Sequence, residues 1–504
     1  MKIRISFVIF ILFIYMITVN ISADTPRTPE PKQVVKKDVP APIVTDHVIK
    51  IKGKLLKYRA TTGYMEMKDE SDKQQALVFY IAYTKTGTDK TNRPITFTFN
   101  GGPGSSAVWL HMGGLGPKRV KMSDDGISIP PPYRYLDNEN TWLEFTDLVF
   151  IDPVSTGYSR PAPEVEKKKF HGVKEDVKSV GDFIRLYITQ NERWISPKFL
   201  CGESYGTTRA AGLSGYLQET YGVFLKGIVF VSSVLHFQNS RFRPGNDLPY
   251  ALFLPTYTSS AWYHKKLPPK YQKDLQATLR EVEQWALGEY LQALAKGDRL
   301  PENERRHIID KLASYTGLSR EYIDNTNLRI LIYRFVNELL RNEKQMVGRL
   351  DSRFKTEVRD AANEYFEFDP SMAVIDGPFA AVINHYIRTD LGYKNDLHYE
   401  WITDNVRPWN WNTPGGGEVN VGETLRSAMS QNKYLQVLVA CGYYDLATPY
   451  FAADYTFNHL GLAPSLMKNI VFKYYEAGHM MYINKPSMQK LREDVFEFYQ
   501  KAIK

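Results

Sequence analysis

The pentapeptide Gly202-Glu203-Ser204-Tyr205-Gly206 follows the apolar run Phe199–Cys201 and precedes a helix-capable run, Thr207–Glu219. A serine flanked in this way by glycines can occupy a turn too tight for neighbouring Cβ atoms, which lifts its hydroxyl clear of the backbone. Such a hydroxyl is a poor nucleophile near neutral pH. It needs a general base, and the base needs an acid to hold it in one tautomer. Two later segments offer them: Gly442-Tyr443-Tyr444-Asp445 after the apolar run Val437–Cys441, and Ala477-Gly478-His479-Met480 after Ile470–Tyr474. Both stand where strands end and loops begin, the place where an open parallel sheet builds its site. Taken singly, Asp445 reads as a turn-capping carboxylate and His479 as a satisfied core histidine. Taken together they predict a triad, with Ser204 as nucleophile, His479 as general base and Asp445 orienting it.

Acyl chemistry also needs donors for the oxygen that gains charge. Asn100-Gly101-Gly102-Pro103-Gly104-Ser105-Ser106 directly follows the strand-like run Ile95–Phe99. Backbone amides exposed in such a loop can face that oxygen, with the amide after the nucleophile as second donor. The expected oxyanion hole is therefore formed by the amides of Gly102 and Tyr205.

These residues converge only if the elements between them alternate correctly. From Ile95 onward, compact apolar runs (Ile95–Phe99, Asp147–Ile151, Phe199–Cys201, Gly227–Val231, Val437–Cys441, Ile470–Tyr474) are separated by longer helical stretches. Val173, Val177, Val180, Ile184 and Tyr187 share one helical face ahead of a Trp194–Pro197 breaker, as a crossover helix would. Before Ile95, β-rich runs alternate with turn residues: Leu55–Ala60, then Thr62-Gly63, then Tyr64–Met67 and Ala76–Tyr83. This pattern, with the order Ser, Asp, His, predicts an α/β chain of the α/β-hydrolase fold, a mostly parallel central sheet flanked by helices. Some two hundred residues between the fourth and fifth of those parallel runs are too many for one crossover. Leu275, Leu279, Val282 and Ala286 share a helical face there, as do Leu328, Leu331, Ile332, Phe335, Leu339 and Leu340. The expected layout is a core over 47–236, an inserted helical cap over 237–369 and the rest of the core over 370–504. Gly415-Gly416-Gly417 lacks the Lys-Ser or Lys-Thr of a phosphate loop and reads as a connection.

The N-terminus predicts export. Lys2 and Arg4 precede an apolar run from Ile5 to Val19, and Ser22-Ala23 offers small residues for cleavage, so 1–23 reads as a signal peptide. The run is shorter than the roughly twenty residues that cross a bilayer, so no stable membrane span is expected after cleavage. Residues 24–46, rich in proline and charge, read as a disordered leader, and the expected destination is secreted or periplasmic. An apolar fraction of 43% with 24% charged residues excludes a wholly disordered or membrane-spanning chain. Cys201 and Cys441 each end an apolar run and read as buried free thiols. A formal charge of +8, with no basic stripe interleaved with aromatics, speaks against nucleic acid as a partner. No His-Glu-x-x-His pair occurs, and no metal or other cofactor is expected.

At this point the residues resemble the serine carboxypeptidase family (peptidase family S10, within the α/β-hydrolases). Asn100 to Ser106 resembles its Asn-Gly-Gly-Pro-Gly loop, and Gly202 to Gly206 its Gly-Glu-Ser-Tyr-Gly elbow. Pro153-Val154-Ser155-Thr156-Gly157-Tyr158-Ser159 is similar to its Pro-Val-Gly-Thr-Gly-Phe-Ser turn, and Gly478-His479-Met480 to its Gly-His-Met. The resemblance implies the triad Ser204, Asp445 and His479, and binding of a substrate's terminal carboxylate by Asn100, the Gly101 amide and Glu203. Peptide or protein C-termini are the implied substrates. The chain departs from the pattern at Gly114, before Leu115-Gly116-Pro117, where the family places a second Glu. Without that like-charged neighbour the expectation is that Glu203 is not raised, and the acid preference implied by the family is not carried over. The family's disulfides are absent too. Competing readings keep the triad but act on esters or as an acyltransferase, or keep only the fold as a non-catalytic peptide-binding protein.

Overall fold

Apolar runs that lie inside a parallel sheet are covered on both faces, and Ile95–Phe99, Asp147–Ile151 and Gly227–Val231 become strands buried along their whole length. A computed structural model describes residues 39–127, 129–365, 367–412 and 416–504. The expected signal segment, most of the expected leader and Gly415 of the glycine-rich connection lie outside the described residues.

The strands are β1 (Ile43–Ile51), β2 (Lys54–Lys68), β3 (Gln74–Lys85), β4 (Ile95–Phe99), β5 (Asp147–Ile151), β6 (Lys198–Glu203), β7 (Gly227–Val231), β8 (Gln436–Gly442) and β9 (Ile470–Tyr475). They form one sheet in the order β1-β2-β3-β5-β4-β6-β7-β8-β9, with the short strand Arg160–Pro161 paired to β3. Pairing is antiparallel from β1 to β5 and parallel from β5 to β9. This mostly parallel sheet is the core of an α/β-hydrolase fold.

Side chains alternate across it. Leu200, Ile228, Phe230, Val437 and Val439 join one hydrophobic cluster with the helices α1 (Val173–Gln190) and α2 (Tyr205–Tyr221). Phe199, Cys201, Val229, Val231 and Leu438 join the other. There they meet α4 (Pro370–Thr389) and α6 (Lys485–Ile503), which flank the first cluster's α5 (Gly422–Gln431) in sequence. The five residues expected on one face of the crossover helix are all buried in α1.

Two expectations near the N-terminus are corrected. Thr62-Gly63 is no turn: β2 runs straight through it, with Gly63 opposite Tyr80 of β3. The glycine is there because Pro42 crosses the strand, with its Cα 2.8 Å from where a Cβ on Gly63 would sit. The leader expected over 24–46 also overruns the sheet, because Ile43 to Asp46 pair with Thr62 to Arg59.

Between β7 and β8 the chain inserts α3 (Leu248–Tyr263), further helices including Leu275–Trp285 and Glu302–Thr316, and a two-stranded ribbon, Gln345–Val347 with Lys355–Glu357. The expected helical face from Leu328 to Leu340 is interrupted. Asn327 and Leu328 have φ values of 52° and 63°, Leu331 is extended, and helix begins only at Ile332. α3 is apolar nearly all round and buried, which ties the insertion to the sheet. Ser259 of α3 donates to the Tyr443 carbonyl at the end of β8 (2.6 Å). Residues 40–504 form one compact unit.

Candidate active site

β6 ends at Glu203 and α2 begins at Tyr205, so the whole reversal falls on Ser204, whose φ of 58° and ψ of −129° lie in a region that residues with a side chain rarely occupy. Three hydrogen bonds hold it there: the Ser204 amide donates to the Val231 carbonyl (3.0 Å), and its own carbonyl accepts from the Thr207 amide (2.8 Å) and hydroxyl (2.7 Å). The flanking glycines are obligatory. A Cβ on Gly206 would lie 2.8 Å from the Phe99 carbonyl oxygen, and one on Gly202 would collide with the Gly206 carbonyl.

Asp445 and His479 come off the ends of neighbouring parallel strands, β8 and β9. Oδ2 of Asp445 lies 2.7 Å from Nδ1 of His479, while Oδ1 accepts the amides of Ala447 (2.8 Å) and Thr448 (3.0 Å). The Thr448 hydroxyl donates to Oδ2 (2.7 Å) and lies 3.2 Å from Nδ1. Every acceptor site of the buried carboxylate is thus engaged, and Nδ1 of His479 is the donor toward it. Nε2 is left to accept a proton. Burial opposes charging the His479 ring. The charge and hydrogen bond of Asp445, with Glu203 adding to them, outweigh it and leave the ring's pKa raised. The histidine's backbone is pinned as well, since its amide donates to the Leu350 carbonyl (2.7 Å) and its carbonyl accepts from Ser232 Oγ (2.7 Å).

Ser204 and His479 border one cavity of about 250 Å³, which Asn100, Gly101, Gly102, Glu203 and Tyr205 also line. Every sequence-predicted site residue except the buried Asp445 faces this space, and Asp445 reaches it through His479. The glycine loop lies directly on the elbow. A Cβ on Gly101 would sit 2.5 Å from the Tyr205 amide nitrogen, and Gly102 has a φ of 103°. Gly102 and Tyr205, whose amides are the expected oxyanion donors, therefore border the same cavity as Ser204. The other walls are largely apolar: Trp109, Met372, Ile375, Ile402 and Met480, with Arg349 as a cation.

Glu203 is the second buried carboxyl of the site. Asn100 Nδ2 donates to its Oε2 (2.8 Å), the Tyr482 hydroxyl donates to the same oxygen, and Oε1 lies 3.9 Å from Nε2 of His479. The expectation that Gly114 leaves Glu203 unraised is overturned. Burial pushes its carboxyl up to about 7, although the charge of His479 and the hydrogen bonds from Tyr482 and Asn100 pull the other way. Desolvation is the largest cause, and the charge of Asp445 adds a smaller push in the same direction.

Several contributors carried no sequence signal. Arg209 of α2 is buried, pairs with Asp176 of α1 (2.8 Å) and donates to the Asn100 carbonyl (2.6 Å), and Tyr205 donates to the same Asp176 (3.2 Å). This pair braces the elbow against the glycine loop from behind. Part of the roof comes from 398–412, which bridges to the core at Ser105, Gly157 and Gly172. Among the described residues no group of three or more His, Cys, Asp or Glu side chains could hold a metal, and no helix is long and apolar enough to cross a membrane. Cys201 and Cys441 are buried free thiols.

Residues 50–229 match the family model described as serine carboxypeptidase. No curated protein matches the sequence. Similar solved structures include a proline iminopeptidase from Mycobacterium smegmatis, 13% identical over 88% of this chain and 98% of that one, with a TM-score of 0.38. A carboxyl esterase from Bacillus coagulans is 14% identical over 88% and 99%, with a TM-score of 0.35. The peroxisomal alpha-beta-hydrolase of Saccharomyces cerevisiae is 9% identical over 88% and 89%, with a TM-score of 0.37. The chain is a serine hydrolase of the α/β-hydrolase fold, and its residues 50–229 are similar to the serine carboxypeptidase family.

Proposed function

We propose that the protein is a secreted serine carboxypeptidase that releases residues from the C-termini of peptides through an acyl-enzyme on Ser204. His479 Nε2 takes the Ser204 proton as Oγ bonds to the scissile carbonyl carbon, and Asp445 stabilises the imidazolium. The amides of Gly102 and Tyr205 receive the oxyanion. The imidazolium then gives its proton to the leaving nitrogen, the C–N bond breaks and the C-terminal residue departs. Water, deprotonated by the same His479, attacks the acyl ester and restores the Ser204 hydroxyl.

One observation carries the choice of substrate. A buried carboxyl, Glu203, adjoins the nucleophile, shares a hydrogen bond with Asn100 and borders the same cavity. In its neutral form such a group donates a hydrogen bond to a carboxylate, which an ionised one would repel. Asn100 and the Gly101 amide complete that subsite. Incubation of a defined peptide followed by mass analysis tests the reading: a ladder shortened one residue at a time from the C-terminus is expected, and none with Ser204→Ala. Above the point where Glu203 ionises, the triad persists while the subsite turns anionic. Those conditions favour a second reading, hydrolysis of neutral esters or transfer of the acyl group.

Export rests on the charged start, apolar run and Ser22-Ala23 of residues 1–23. N-terminal sequencing of the exported protein, expected to begin near Asp24, checks it.

A further inference from the structure

Glu203 is held by a side chain that does not itself reach the cavity. Tyr482, on the turn Met481–Ile483 after the histidine loop, is 1% exposed, and its hydroxyl donates to Glu203 Oε2. Its ring lies over Gly113 and Gly114, inside a π-helical turn, His111–Leu115. A Cβ on Gly114 would lie 2.7 Å from Tyr482 Cβ, so the glycines and the tyrosine fit only each other.

The hydrogen-bond inventory then fixes where an acid proton goes. Asn100 is oriented because its Oδ1 accepts from the Leu110 amide (3.1 Å), which turns its NH2 toward Glu203 Oε2 (2.8 Å). With Asn100 and Tyr482 both donating, Oε2 has both lone pairs engaged. Oε1, on the side of His479 Nε2 at 3.9 Å, is the oxygen left to be protonated. We propose that Tyr482 is a positioning residue for carboxylate recognition, holding Glu203 so that its proton sits on Oε1 and points into the cavity toward the substrate's terminal carboxylate. This rests on the carboxypeptidase reading. A phenol in this role keeps its own proton, since burial and Glu203 push Tyr482 well above the ordinary tyrosine value. The charged or titratable groups facing Glu203 are His479, Asp445, Tyr482 and Cys201, with Arg349 across the cavity. Cys201 is likewise pushed up by burial, which leaves Glu203 and the raised ring of His479 as the groups that titrate at the subsite.

Tyr482→Phe keeps the ring over the glycines and removes only the hydroxyl. Its kcat/KM on a blocked dipeptide with a free carboxyl terminus, divided by its rate of labelling with a small fluorophosphonate, is expected to fall about tenfold or more, chiefly through KM. Because the lost hydrogen bond favoured the ionised carboxylate, the alkaline limb of that profile moves to higher pH. A ratio and limb identical to wild type would overturn the proposal. Infrared difference spectra make the test independent of substrate: the carbonyl band of protonated Glu203, assigned by its loss in Glu203→Gln, is expected to persist to higher pH in Tyr482→Phe. An unmoved band overturns the role of Tyr482 whatever the substrate. A wild-type enzyme indifferent to the free carboxylate, combined with a shifted band, instead refutes the carboxypeptidase reading and leaves the Tyr482–Glu203 coupling standing.

Discussion

Thr448 donates its hydroxyl to the same oxygen of Asp445 that faces His479 Nδ1, and its amide donates to the other oxygen. The carboxylate is thereby fixed from both sides, and the imidazole has one available tautomer. Asp445→Asn should leave the fold intact but present an amide donor to Nδ1, with kcat reduced by about 10³–10⁴-fold. Thr448→Val should cost less, about three- to tenfold, because the backbone donors remain. Steady-state kinetics on one peptide substrate checks both.

Arg209 and Asp176 form an ion pair with side chains 1% and 2% exposed, respectively. Removing one partner strands a buried charge, so Asp176→Asn should destabilise the protein by about 3–5 kcal/mol. Because Arg209 also carries the Asn100 carbonyl, activity should fall even where the variant is still folded. Denaturant titration with parallel active-site labelling separates the two effects.

Two buried carboxyls, Asp152 and Glu203, and the partly buried Asp454 are each pushed up to about 7, in every case first by burial. Folded values above unfolded ones mean that the stability these groups allow is full below the ordinary carboxyl range and is lost as pH rises through about 7. Thermal midpoints should therefore fall between pH 5 and pH 8, and Asp152→Asn or Asp454→Asn should flatten that fall. A midpoint that rose steadily across this window would contradict the assignment.

Gly101 has no room for a side chain, with the Tyr205 amide nitrogen 2.5 Å from its notional Cβ. Gly101→Ala should push the glycine loop off the elbow and separate the two oxyanion donors, lowering kcat by about 10²-fold or more. Labelling by a fluorophosphonate, whose oxygen needs the same donors, should slow in parallel.

What the sequence made legible follows from what is local. Ile95–Phe99, Asp147–Ile151 and Gly227–Val231 are readable to the residue because a strand buried on both faces is a short, largely apolar or β-branched run. Gly63 misled because a strand glycine and a turn glycine look alike until the crossing Pro42 is seen. Glu203 was visible as a residue, but its raised pKa depends on burial, which no spacing encodes. Tyr482 had one faint signal, the adjacent Gly113 and Gly114, which mark a close approach without naming what approaches. Asp176 and Arg209 read as ordinary charges on amphipathic helices, since their pairing spans thirty-three residues and two elements.

The central claim is that Glu203 and Asn100 make this serine hydrolase select a free C-terminal carboxylate. The most direct test compares a blocked dipeptide with the same compound amidated at its C-terminus, across pH 4 to 8. The account predicts strong preference for the free acid at low pH, fading as pH passes about 7 where Glu203 ionises, and no such fading in Glu203→Gln. Equal cleavage of acid and amide at every pH would contradict it.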